Sequence, residues 1–209
     1  LGHFAAGAAT FEMDRAMALP NEPAYGLLFD GSGTLWLRSA KHMVRIDPAR
    51  HRFIFDDQGV PPVNTDAAQP TLDRQGNLLV PTSAGLYWHD HGLWRAITDK
   101  EGLTSNAVQT ALEDREGTLW VGSSGAGLDR LMGFREWRSW TKTEGLPDNT
   151  TFQTLRDRRG RLWVATVRGI AIWQGLQWKV LTAAQGLCGS EVRQLELAAD
   201  GYVWAFSPV

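Results

Sequence analysis

The side chains able to do chemistry in this sequence are scattered rather than clustered. His89-Asp90-His91 sets two imidazoles two residues apart. On a strand both would face one side, as a metal site requires. No further ligand lies close in sequence, and the segment reads as a surface turn between two strands. Cys188 is the single cysteine. It has no paired histidine in a nucleophile motif, so thiol catalysis is not expected. One thiol also leaves the redox compartment open. His3, His42 and His51 stand apart. Asp-x-x-Gly occurs from Asp30, Asp73, Asp114 and Asp157. Calcium loops begin in a similar way, but the EF-hand spacing and its terminal Glu are missing. Turn formation is the better reading, and one carboxylate per copy is too dispersed for acid–base pairing. No catalytic residue, metal or cofactor is assigned.

A second group is polar and loop-borne. It comprises Lys41, His42, Ser83, Ser123, Ser124 and Arg168, with Asn64, Asn106, Asn149 and Glu191 in the segments that lead into the next copy. Ser and Asn can bond the hydroxyls of a glycan. Lys41 or Arg168 can pair with the carboxylate of an organic acid. Each has a plainer reading. Asn106 and Asn149 recur with the repeat, which favours turn capping by side chain to backbone bonds. Lys41 and Arg168 read as solvated surface, but they break a small-residue pattern at equivalent loops and are the better ligand candidates.

A repeat positions these residues. "DGSGTLWL", "DRQGNLLV", "DREGTLWV", "DRRGRLWV" and "ADGYVWAF" align on Gly33, Gly76, Gly117, Gly160 and Gly201, at spacings of 43, 41, 43 and 41 residues. Three residues after each glycine stands Trp36, Leu79, Trp120, Trp163 or Trp204. Every copy reads as four short strands. In the third, Val108 to Leu112 is followed by a turn at Asp114 to Gly117. The apolar triplet Leu119-Trp120-Val121 comes next, then a small-residue loop, Leu128 to Leu131, and an aromatic strand ending at Trp140. An unbroken apolar triplet belongs to a strand covered on both faces. No stretch sustains a 3.6-residue period. Four strands per copy of about 42 residues is the spacing of β-propeller blades, so the expected class is all-β. The indoles then fill the space between blades, and a packing role outweighs sugar stacking for Trp36, Trp120 and Trp163.

The expected divisions are third and fourth strands at 1–18, whole blades at 19–60, 61–103, 104–146 and 147–187, and first and second strands at 188–209. Opening on Leu1 and stopping after a strand, the chain is expected to be part of a larger propeller. The alternative is a ring closed at about five blades, and pairing of the strands near Leu1 and Tyr202 in one sheet would distinguish the two. The ten Trp, 43% hydrophobic and 21% charged residues are globular in balance. A net charge of -2 gives no electrostatic reason to expect nucleic acid. No apolar run reaches the ~18 residues that span a bilayer.

"EGLTSNAVQTALEDREGTLWVGSSGAGLDRL" and "EGLPDNTTFQTLRDRRGRLWVATVRGIAIW" resemble the two-component regulator propeller repeat. Its pattern is roughly G-L-P-x-N-x-V-x-x-L-x-x-D-x-x-G-x-L-W-V-G-T-x-x-G-L. The likeness covers nearly the whole chain, with departures at Leu79, Pro81 and "GVPPVNT" in the second copy and at the Asp-Gly turn of the fifth. It implies a non-catalytic, extracytoplasmic (periplasmic) sensor propeller of a bacterial inner-membrane receptor. Signalling output domains on the same polypeptide and a small-molecule ligand follow from it. In such a blade the loop between second and third strands and the link to the next blade share the end where propellers commonly bind ligands. "DRQGNLLV" also resembles streptogramin lyases, which place a catalytic histidine in the channel, and His42 is the single candidate for that role. A structural scaffold serving dimerisation is the third reading.

Overall fold

The computed structural model describes residues 2–4, 11–13, 22–47, 52–56, 59–62, 69–90, 92–132 and 136–208. Asn64, His51 and His91 lie outside them. The first full sheet contains β3 (Ala24–Phe29), β4 (Leu35–Ser39), β5 (Met43–Asp47) and β6 (Arg52–Phe55). The second contains β7 (Thr71–Leu72), β8 (Leu78–Thr82), β9 (Gly85–Asp90) and β10 (Leu93–Ile97). The third contains β11 (Val108–Glu113), β12 (Leu119–Ser123), β13 (Gly127–Leu131) and β14 (Trp137–Trp140). The fourth contains β15 (Thr151–Arg156), β16 (Leu162–Thr166), β17 (Gly169–Trp173) and β18 (Trp178–Leu181). All four are antiparallel meanders in chain order. Before them β1 (Gly2–Phe4) pairs with β2 (Phe11–Met13), and after them β19 (Gln194–Leu197) pairs with β20 (Val203–Phe206). These are two separate two-stranded sheets, so among the described residues the terminal strands do not share one blade. The fold is a β-propeller assembled from four-stranded blades.

The repeated aspartate shapes each turn and then serves the core. Asp114 Oδ1 accepts the backbone N–H groups of Glu116 at 3.0 Å and Thr118 at 2.9 Å. Gly117 closes the turn at φ 79°, a conformation that costs other residues strain. Asp114 Oδ2 accepts the indole N–H of Trp120 at 2.8 Å. Trp36 donates to Asp30 at 2.7 Å and Trp163 to Asp157 at 3.0 Å in the same way. A buried indole needs such an acceptor, and the spacing of six residues supplies it across the hairpin. Burial by itself would raise these carboxyls. The bonds they accept, with the Arg156 charge beside Asp114, outweigh it and hold Asp30, Asp114 and Asp157 below the ordinary aspartate range.

The cores lie between blades. Trp120, 1% exposed, stacks on Trp140 with centroids 5.5 Å apart, and Trp173 and Trp178 meet Trp140 edge-on. Leu162, Val164 and Ala171 of the fourth blade complete that cluster. The second-to-third interface is more aliphatic, built on Leu79, Leu86, Leu103, Leu119 and Val121. Burying one such side chain stabilises by roughly 1.5–3 kcal/mol. The fourth-to-last interface continues the pattern with Ile170, Ile172, Val192 and Leu195. Tyr202, Trp204 and Phe206 on the final hairpin are exposed, although Trp204 occupies the repeat position that is buried in Trp36 and Trp120. No blade covers that face among the described residues.

Candidate functional site

The loops that bear the predicted site residues gather at one end of the blades, where second strands end and first strands begin. The G-L-x-x-N lead builds this end. Thr98 caps a 3-10 turn at Asp99–Glu101, and Glu101 returns a bond to the Thr98 backbone. Thr141 with Glu144 and Thr182 with Gln185 repeat the arrangement. Gly102, Gly145 and Gly186 then take left-handed φ values of 108°, 103° and 98°. Leu103 and Leu146 follow and plug the inter-blade cores, each 4% exposed. Such capping boxes satisfy otherwise unpaired amides at the start of the turn.

Asn106 and Asn149 close this unit. Asn106 Oδ1 accepts the Asp99 amide at 2.7 Å, and its side-chain amide donates to Asp99 Oδ1 at 3.0 Å. Asn149 Oδ1 accepts the Lys142 amide at 2.7 Å. Their carbonyls accept the amides of Gly85 and Gly127, each at 2.7 Å, tying these two links to the loop of the blade before each. The Asn106 amide chiefly draws the Asp99 carboxyl below its ordinary range, and the Thr98 and Thr141 hydroxyls do the same for Glu101 and Glu144.

The remaining candidates differ in availability. Ser123 is 1% exposed and donates to the Gly127 carbonyl at 3.1 Å. Ser124 is exposed, and its amide donates to Ala107 O at 2.8 Å. Ser83 is exposed, with its hydroxyl 3.4 Å from Pro62 O. Lys41 is exposed. His42 packs edge-on against Phe55 at 5.0 Å, and its Nε2 lies 3.9 Å from Glu22 Oε1. Arg168 is well exposed and lies 3.4 Å from Asp148. Glu191 accepts from Arg193 Nε at 2.5 Å. The structure therefore presents Lys41, Ser83, Ser124 and Arg168 to solvent on separate blades, and engages Ser123, Asn106 and Asn149 in the scaffold.

A polar cavity of about 270 Å³ lies elsewhere, along the first strands, and none of the predicted site residues lines it. Thr71, Thr110, Thr154, Phe152 and Gln194 form its wall. First strands of successive blades are neighbours there. Thr110 and Thr154 hydroxyls lie 3.2 Å apart, Thr71 donates to Ala111 O at 3.0 Å, and Gln153 Oε1 accepts the Leu195 amide at 2.5 Å. The β11 and β15 strands each carry a bulge, at Val108/Thr110 and Thr151/Gln153, which bends them at this wall. The polar pair Gln153-Thr154 between Phe152 and Leu155 was the available signal. Residue pattern along one strand does not say that the first strand of the next blade lies against it.

His89 is not in a surface turn: β9 extends through Asp90, and His89 is half-buried between Trp36 at 5.2 Å and Trp94 at 4.6 Å. This third strand is one residue longer than those of the next two blades, and its last residue, Asp90, pairs with Leu93. Among the described residues no group of three or more His, Cys, Asp and Glu is arranged to hold a metal. Nor is any helix there long and apolar enough to cross a membrane.

Residues 102–125 and 145–168 match the family model of the two component regulator propeller, the third- and fourth-copy segments that carry the resemblance. The extracellular domain of a hybrid two component system from B. thetaiotaomicron matches with a TM-score of 0.71 at 19% identity, over 88% of this chain and 28% of that one. A second such domain from B. thetaiotaomicron gives 0.59 at 18%, over 92% and 32%. Virginiamycin B lyase from Staphylococcus aureus gives 0.65 at 13%, over 89% and 64%. These likenesses show the propeller fold. The chain spans about 28% of the length of the two component domain it matches at 0.71. No curated protein matches by sequence.

Proposed function

We propose that this chain is the recognition propeller of a bacterial signalling receptor, non-catalytic and extracytoplasmic, with output domains on the same polypeptide. The observation that carries the reading is the match of two repeats to the two component regulator propeller. The propeller likeness to extracellular domains of two hybrid two component systems supports it. The divisions at 1–18, 19–60, 61–103, 104–146, 147–187 and 188–209 belong to the same proposal. Recognition falls to the loop end, where the copies differ. Lys41 and Arg168 offer cations to an organic acid, and Ser83 and Ser124 offer hydroxyls to a glycan. His42, Ser123, Asn106, Asn149 and Glu191 support these loops through the contacts above, and a homodimer would present two such ends.

A thermal-shift screen of the purified chain with glycans and organic acids tests this reading. Stabilisation by an acidic ligand that is lost in a Lys41→Ala, Arg168→Ala double variant is the expected outcome. A ligand response indifferent to both substitutions would move recognition away from the loop end.

The lyase likeness keeps an enzymatic reading in view, with His42 and its 3.9 Å approach to Glu22 as its motivating geometry. Turnover of a streptogramin by the chain, abolished by His42→Ala, would favour it over the sensor. Sedimentation of the purified chain checks the dimerisation scaffold.

A further inference from the structure

The structure assigns a second binding site, outside the loop end, in the groove between the second and third blades, for an organic amine with an aromatic or branched aliphatic body. The groove encloses about 570 Å³, within the range of small-molecule sites. Leu79, Trp88, Ile97, Leu119 and Leu131 form its floor. Asp73, Asp90 and Glu113 also line it, and no lysine or arginine does among the described residues.

The repeat supplies an internal comparison. The equivalent groove between the third and fourth blades holds about 510 Å³, but Trp120 and Trp173 line it with Arg130, Arg156, Arg159 and Arg161, beside Asp114 and Glu116. Leu79 stands where Trp120 stands, three residues after the turn glycine. Leu131 stands where Trp173 stands, four residues after the glycine that opens the third strand. Ile97 stands where Trp140 stands, directly before the capping threonine. Glu113 stands where Arg156 stands, directly before the turn aspartate. Four exchanges at one interface thus replace three indoles with aliphatic side chains, leaving Trp88 as the indole of the floor, and put a carboxylate where the neighbouring groove has a guanidinium.

The carboxylates have distinct roles. Asp73 is taken by its own turn: it accepts from the Gln75 and Asn77 amides, from Asn77 Nδ2 and from Trp88 Nε1, all at 2.7–2.9 Å. Glu113 accepts only a backbone amide, from Arg74 at 2.8 Å. The Arg74 guanidinium and Glu113 Oε1 both approach Gly117, 3.4 and 3.6 Å from where its Cβ would lie, without forming an ion pair with each other. Glu113 is therefore the carboxylate for the ammonium group, and Leu79, Leu119 and Leu131 receive the apolar body. A carboxylate ligand is disfavoured here by like charge.

The test uses the 209-residue chain with labelled leucine methyl groups and phenethylamine as probe, with phenylacetate and 2-phenylethanol as controls. Phenethylamine is expected to shift the methyl resonances of Leu119 and Leu131 saturably. Glu113→Gln is expected to weaken it about tenfold, the loss of one charge-assisted bond. Leu79→Trp, which restores the residue of the other copies, is expected to abolish the response. Equal affinity for phenylacetate or 2-phenylethanol, shifts confined to other methyls, or indifference to Glu113→Gln each overturn the assignment. Glu113→Gln sits at the rim and decides the matter even if Leu79→Trp fails to fold.

Discussion

Trp88 donates its indole N–H to Asp73 Oδ2 at 2.9 Å, from the third strand of its blade rather than the second. In the other full blades that acceptor receives Trp36, Trp120 or Trp163 of the second strand. The second blade has Leu79 at that position, and Trp88 is its cross-strand partner. The donor has moved one strand outward while the acceptor has stayed.

This relocation predicts coupling between the two positions. Trp88→Phe removes the donor and is expected to cost about 1–2 kcal/mol in urea denaturation. In a Leu79→Trp background the second-strand indole supplies the bond, and the same substitution is expected to cost less than about 0.5 kcal/mol. Additive costs would mean that the two indoles do not share Asp73.

The aspartate turns predict an acid limit to stability. Asp30, Asp114 and Asp157 titrate below their ordinary range when folded, because the bonds they accept outweigh the burial that opposes them. Their contribution is complete above the unfolded aspartate range near ~4 and is lost as pH falls through the lowered folded values. Denaturation midpoints from pH 7 down to 2 should be flat and then fall. Replacing Arg156, which lies 2.5 Å from Asp114 Oδ2, is expected to shift that fall to higher pH.

Two glycines of one loop separate strain from collision. Gly125 has φ 83° and open space where a Cβ would lie. Gly125→Ala is expected to cost about 1 kcal/mol, from backbone conformation alone. Gly127 has φ 90°, and its Cβ would run into the Trp140 carbonyl. Gly127→Ala is expected to cost about 3 kcal/mol or more, as the third and fourth strands must separate. Thermal denaturation of the two variants side by side checks the difference.

The link asparagines predict a purely structural effect. Asn106→Ala and Asn149→Ala each remove a bond to the neighbouring 3-10 turn and are expected to cost about 1 kcal/mol. Lying in different links, they should add. Ligand affinity at the loop end, measured in the folded protein, should be unchanged by either.

The sequence by itself determined the blades. Glycine spacing, the Asp-x-x-Gly turn and the apolar second strand are local signals, and a turn six residues long brings Asp114 to Trp120 without help from the rest of the chain. The G-L-x-x-N lead was legible for the same reason, since Thr141, Glu144 and Asn149 bond within one short segment. Tertiary structure decided what depends on two blades at once. Glu113 and Leu79 lie 34 residues apart and line one groove only because adjacent blades stack face to face. Thr110 meets Thr154 between adjacent first strands, and His89 enters the first blade's aromatic cluster, for the same reason. A repeat encodes each blade in its own residues, but the space between blades belongs to two copies. The copies differ most usefully at the positions whose partners sequence spacing does not name.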